Sequence, residues 1–186
     1  MSLVGHTVIY GGSFNPPHLG HQMSCLYLLE AMGAEAVWLV PAYKHPFGKA
    51  LVDFEARVEM CELVAAPFGG RVRVSRVEAE PGASGRTYDT LVTLRAQHSE
   101  LRLALAVGSD ILPETPEWYR WPELEAMVRV VVIARPGYPS ARATPVEMPA
   151  VSSADLRRRL EAGESLEGLV PTTVGEYIKR RHLFRA

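Results

Sequence analysis

The chain has 186 residues, 47% of them hydrophobic and 22% charged, with a formal net charge of -1. A chain of this length can bury a full core without disulfide or metal staples, and its balanced charge removes any global electrostatic case for binding nucleic acid or an anionic membrane. No apolar run approaches a membrane span and no basic-then-apolar leader opens the chain, so a single cytoplasmic domain spanning 1–186, with neither nucleic acid nor membrane as partner, is expected.

In chain order, HTVIY at 6–10 reads as a first strand. Leu19, Met23, Leu26, Leu29 and Met32 then recur at helical spacing, and Gly33 ends that helix. AVWLVP at 36–41 is a second strand stopped by Pro41, and 42–52 is a loop. Phe54, Val58, Cys61 and Ala65 predict a helix over 53–66 with Asp53 at its cap. RVRVSRV at 71–77 alternates as a third strand, a breaker-rich loop follows, and a helix is expected over 87–98. LRLALAVG at 101–108 and RVVVIAR at 129–135 are the fourth and fifth strands. The segments 152–163 and 171–181 read as two terminal helices, one with Ser at its cap and one with Pro in its first turn. Cys25 and Cys61 both fall in apolar helical segments and read as small buried thiols in a reducing compartment.

Strands alternating with helices imply an α/β fold. A single Rossmann-like, doubly wound parallel sheet is expected, with helices on both faces and a small helical C-terminal end. Ligands of such sheets bind beyond the carboxyl ends of the strands, at the switch point.

The segment YGGSFNPPHLGHQ at 10–22 lies at such an end. Gly11 and Gly12 permit a close backbone approach, and Pro16 and Pro17 stiffen the loop. The helix beginning near Leu19 points its unpaired N–H groups and positive dipole end into the crevice, which makes an anion site. His18 and His21, three apart, share a face at that end and can donate to phosphate oxygens, with Gly20 clearing room between them for a flat group. A nearby phosphate would favour their charged form. The G-x-G-x-x-G dinucleotide fingerprint and the Walker Gly-Lys-Ser/Thr pattern are both absent.

GGSFNPPHLGH resembles the signature of the H-x-G-H nucleotidyltransferase superfamily. The likeness extends to GRTYDTL at 85–91, VGSDILPETPEWYRW at 107–121, VSSADLR at 151–157 and LVPTTVGEYIKRRHLF at 169–184. Together these are most similar to the bacterial nicotinate-nucleotide adenylyltransferase family, whose members join ATP to nicotinate mononucleotide, releasing pyrophosphate. The resemblance implies that His18 and His21 contact the ATP phosphates, while Gly11, Gly12, Ser13 and Phe14 line the phosphate crevice. It implies that Ser152, Ser153 and Arg157 grip the β and γ phosphates, and that Gly108 and Asp110 lie at the nucleoside, Asp110 reading the ribose or adenine or capping a helix. Thr87 and Trp118 would receive the pyridine, Trp118 by stacking on it or by packing on Trp121. Lys44, His45, Lys49, Arg57 and Arg135 are candidates for the mononucleotide phosphate. Mg²⁺ is expected as an ion carried in with ATP rather than held in a protein cage.

The chain departs from the family pattern in four places. The loop after the second strand reads KHPFGK, Gly85-Arg86-Thr87 replaces Ser-Tyr-Thr, Ala154 stands where threonine is usual, and Asn15 stands where aspartate is commoner. Arg86 either meets the nicotinate carboxylate or points to solvent. Transfer to another phosphate acceptor (nicotinamide mononucleotide, phosphopantetheine or a sugar phosphate) and a non-catalytic nucleotide sensor both stay open. So does a homo-oligomer, because the oligomeric state is not legible.

Overall fold

The structure, a computed structural model, describes residues 2–44 and 51–184. Six strands form one sheet: β1 (His6–Gly12), β2 (Ala36–Pro41), β3 (Val72–Val74), β4 (Arg102–Gly108), β5 (Arg129–Ala134) and β6 (Ala143–Glu147). Their order is β3-β2-β1-β4-β5-β6, and every pairing is parallel. The expected α/β architecture is therefore present, and the chain reverses its winding between β1 and β4.

Parallel strands are covered on both faces, and alternate residues divide between two apolar layers. Val8, Leu39, Ala106 and Ile133 face one layer. That layer takes in α1 (Leu19–Leu26), α2 (Phe54–Ala65), α5 (Ser153–Glu161) and α6 (Thr172–Arg180) through residues such as Cys25, Met60, Leu156 and Val174. Ile9, Val40, Leu105 and Val132 face the other, against α3 (Thr87–Gln97) and α4 (Trp121–Met127), which contribute Leu91, Leu94, Trp121 and Leu124.

Several elements differ from the sequence expectation. The first helix is α-helical only to Leu26 and continues as a π-helical turn, Tyr27–Ala31, before Gly33 ends it at φ 74°. The third strand stops at Val74, because Val77 and Glu78 turn into a short 3₁₀ segment that buries both. Pro171 precedes α6 as its N-cap instead of lying inside its first turn. β6 and α4 are additions. Asp53 caps α2 as expected, its carboxylate accepting from the Ala56 N–H at 3.3 Å.

No helix among the described residues is long and apolar enough to cross a membrane.

Candidate active site

The carboxyl ends of β1 and β4 open at the switch point, and the loop after β1 runs directly into α1. Phe14 takes φ 46°, a left-handed backbone rare for a bulky residue. This turns its ring inward, where it is 1% exposed and lies edge-on to His21 with centroids 4.9 Å apart. A Cβ on Gly12 would come within 3.2 Å of that ring and push against it, so glycine lets the ring pack close to the strand end. Phe14 thus backs the histidines instead of lining open space.

His18 is the N-cap of α1, and His21 lies in its first turn. Their imidazoles stack with centroids 3.8 Å apart and planes 29° from parallel. The His18 backbone N–H donates to His21 Nδ1 at 3.1 Å, which leaves His21 Nε2 to carry the proton. His18 is only 2% exposed, and its Nδ1 is buried without a partner among the described residues. Burial, reinforced by the nearby Arg135 cation, pushes the His18 pKa down to about 3. Burial, then His18, then Arg135 hold His21 well below the usual histidine range. Both rings are therefore neutral at pH 7 before any phosphate arrives, and each still offers an N–H.

The space above Gly20 is already filled. A Cβ there would lie 3.0 Å from the His18 ring and 3.1 Å from Arg135 Nη1. The flat groups lying against the helix are the protein's own imidazole and guanidinium.

Arg135, read from sequence as a mononucleotide contact, stands instead beside the histidine pair. Its Nη2 donates to the Val151 carbonyl at 2.8 Å, and its Nε lies 3.9 Å from Asp110 Oδ1. The Ser109 hydroxyl accepts from its backbone N–H at 2.9 Å. Asp110 folds back over Gly108, where a Cβ would sit 2.1 Å from Asp110 Oδ1.

The α5 N-terminus is docked on the same loop. Ser153 Oγ donates to the Pro16 carbonyl at 2.8 Å, and Arg157 Nη1 donates to the Asn15 carbonyl at 2.7 Å. The Ser152 hydroxyl caps the helix, accepting from the Asp155 N–H at 3.1 Å and donating to the Asp155 carboxylate at 2.7 Å. Two helix N-termini, those of α1 and α5, therefore converge on residues 15–18, although their sequences lie more than 130 residues apart.

Arg57 is engaged elsewhere. It is 1% exposed and donates to the carbonyls of Ser13 at 3.0 Å, Ala42 at 2.7 Å and Val52 at 3.0 Å. Its guanidinium binds the post-β1 loop to the loop after β2, so it holds the walls instead of offering itself to a ligand. No sequence signal separates such an arginine from an exposed one, because the carbonyls it serves come from two separate loops. Lys44 is exposed, three residues after β2. His45 and Lys49 lie outside the described residues.

Thr87 is the first residue of α3, and Trp118 follows a 3₁₀ turn to pack edge-on against Trp121, with centroids 5.7 Å apart at 84°. The packing alternative for Trp118 is observed: it is half-buried against the second core, with part of its surface open. A buried carboxyl missed by sequence reading, Glu78, accepts from Thr90 Oγ1 at 2.5 Å beneath the loop that leads into α3. Burial raises its pKa.

A cytidylyltransferase-like family model matches residues 9–159. A protein of Anaeromyxobacter sp. (strain K) named "Probable nicotinate-nucleotide adenylyltransferase" is 46% identical over 180 residues, covering 95% of each chain. One of the same name from Myxococcus xanthus (strain DK1622) is 42% identical over 176 residues, covering 95% of this chain and 93% of its own. The fold matches the Plasmodium falciparum nicotinic acid mononucleotide adenylyltransferase complexed with NaAD at a TM-score of 0.83, with 19% identity and 96% and 97% of the two chains covered. The same parasite enzyme complexed with APC matches at 0.79, with 18% identity and 97% of each chain covered.

Proposed function

Given that the chain belongs to the cytidylyltransferase-like family, among the nicotinate-nucleotide adenylyltransferases, we propose that it transfers the adenylyl group of ATP to nicotinate mononucleotide. The products are nicotinate adenine dinucleotide and pyrophosphate, a step of NAD biosynthesis. The observation that carries this reading is the stacked His18–His21 pair at the start of α1, met by the first turn of α5 at the β1/β4 switch point.

The acceptor phosphate is an anion at neutral pH, so the reaction needs no general base. One of its oxygens attacks the α-phosphorus. A P–O bond forms there while the bond to the bridging α–β oxygen breaks, and pyrophosphate leaves with that electron pair. The protein's task is to bring two anions together and to stabilise charge as it moves to the leaving group. The neutral imidazoles of His18 and His21 donate N–H groups to phosphate oxygens, and Arg135 adds a fixed positive charge behind them. The amides at the start of α5, with Ser152, Ser153 and Arg157, hold the β and γ phosphates. Gly11, Gly12 and Ser13 let the backbone approach, with Phe14 supporting His21 from below. Gly108 and Asp110 meet the nucleoside.

Thr87 and Trp118 form the pyridine wall. Lys44, His45 and Lys49 serve the mononucleotide phosphate, and Arg57 keeps their loop against the ATP loop. ATP comes with a divalent metal in enzymes of this kind; that the ion is Mg²⁺ carried on the phosphates is part of the proposal, as are a single domain over 1–186 and a cytoplasmic setting. Two apolar layers against one sheet support the domain reading, and two free buried cysteines support the cytoplasmic one.

The test is a panel of acceptors with ATP, scored by pyrophosphate release: nicotinate mononucleotide, nicotinamide mononucleotide, phosphopantetheine and a sugar phosphate. The acid mononucleotide is expected to give the highest kcat/KM. Preference for another acceptor overturns the substrate assignment, and release from none overturns the enzymatic one.

A further inference from the structure

Resting on the substrate reading above, we propose that Arg86, Tyr88, Tyr119 and Arg120 form a reciprocal clasp that sets the width of the mononucleotide subsite, making them positioning residues for the acceptor. Two segments distant in sequence meet here. One carries Arg86 and Tyr88, on either side of Thr87; the other carries Tyr119 and Arg120, immediately after Trp118. The Arg86 guanidinium carbon lies 4.3 Å from the Tyr119 ring centroid, and that of Arg120 lies 4.4 Å from the Tyr88 centroid. The two tyrosine rings meet edge to face, 6.0 Å apart at 83°. Each segment thus gives one cation and receives one.

A cation over an aromatic face is attracted by the ring quadrupole. A single contact of this kind would act as a hinge. Two contacts running in opposite senses, with an edge-to-face ring pair between them, fix both separation and rotation. The backbone supplies an independent sign of the same constraint. Arg120 holds φ 56° and ψ 41°, a left-handed conformation unfavourable for a long side chain. Such geometry persists where surroundings over-determine it. Here the side chain is held twice, over Tyr88 and by donating from Nε to Glu123 Oε1 at 3.1 Å. Arg86, by contrast, makes no ion pair among the described residues, so its charge is directed at Tyr119. With Thr87 and Trp118 each one residue from a clasp member, loosening the clasp widens the gap a pyridine ring must fill.

The experiment compares Arg86→Gln and Tyr119→Leu, which remove a contact, with Arg86→Lys and Tyr119→Phe, which retain it. Each removing variant is expected to raise the KM for nicotinate mononucleotide about two- to fivefold, the size of an exposed cation–π contact. The KM for ATP and kcat stay within about twofold. The double variant raises the mononucleotide KM by less than the product of the single effects, because the first substitution already breaks the contact. The conservative variants restore the wild-type KM. Without any ligand, amide hydrogen exchange over 84–90 quickens in Arg86→Gln. Unchanged exchange, or ATP and mononucleotide KM values that rise together, overturns the clasp. Failure of the wild-type enzyme to use the acid mononucleotide overturns the substrate reading instead, and the ligand-free exchange still decides whether the clasp holds the two segments.

Discussion

His18 and His21 are coupled twice: their rings stack at 3.8 Å, and the backbone N–H of His18 donates to Nδ1 of His21. The second contact fixes the tautomer of His21 and leaves its proton on Nε2. The first makes the position of each ring depend on the other.

From this coupling, His21→Ala should lower kcat by about 100-fold or more, the scale for losing a preorganised donor to developing charge. His18→Ala should do the same and also reduce stability by about 1–2 kcal/mol, because its ring is buried. Steady-state pyrophosphate release and urea unfolding measure both. Unchanged turnover in either variant would remove that imidazole from the chemistry.

Gly20→Ala separates helix propensity from site geometry. Alanine is the better helix former by about 1 kcal/mol. The new methyl, however, meets the His18 ring at 3.0 Å and Arg135 at 3.1 Å, and the ring is backed by His21. Turnover is expected to fall at least about tenfold while the helix is retained, since small misplacements carry large rate losses. A variant with full activity and raised Tm would mean the ring has slack.

Arg57→Met should reduce stability by about 3 kcal/mol, since it strips a charged donor from buried carbonyls at Ser13, Ala42 and Val52. Because those carbonyls belong to both loops, the KM values for ATP and mononucleotide should rise together. A variant of normal stability, impaired only toward the mononucleotide, would return Arg57 to the ligand-contact role.

The histidine pair also predicts how stability depends on pH. Both groups have folded pKa values below their unfolded value, His18 at about 3. Below pH 6.5 the unfolded chain therefore binds protons that the folded chain refuses, and stability falls as the solution becomes more acid. Between pH 6.5 and 5.5 His18 should contribute about 1 kcal/mol of loss and His21 a further loss of the same sign, with none above pH 8. Urea unfolding at these pH values should show the drop in wild type and a smaller one in the His18→Asn, His21→Asn double variant. Equal drops in both proteins would assign the acid sensitivity to other groups.

Much of this arrangement is legible in sequence because it is local. HTVIY, AVWLVP, LRLALAVG and RVVVIAR are predominantly apolar, with their charged residues at or near the ends, as strands covered on both faces should be. The three-residue spacing of His18 and His21 beside a helix start announces their shared face. β6 escapes notice because ATPVE contains Pro145 and no fully buried position, which an edge strand tolerates. α4 is masked by Pro122 and by having only two buried residues, Trp121 and Leu124. Arg57 and Arg135 are visible as cations, but their surroundings are assembled by the sheet. Two of the carbonyls that Arg57 serves, those of Ser13 and Ala42, lie far from it in sequence, and Arg135 reaches His18 only because β5 lies two strands from β1. No local pattern distinguishes a guanidinium serving carbonyls from one awaiting a phosphate.

The most direct measurement is a crystal structure with a non-hydrolysable ATP analogue and nicotinate mononucleotide bound together. Triphosphate oxygens within hydrogen-bonding distance of the His18 and His21 ring nitrogens, and of the first-turn amides of α5, are the expected result. A triphosphate lying away from the stacked imidazoles, with the β1/β4 mouth occupied by something else, would contradict it.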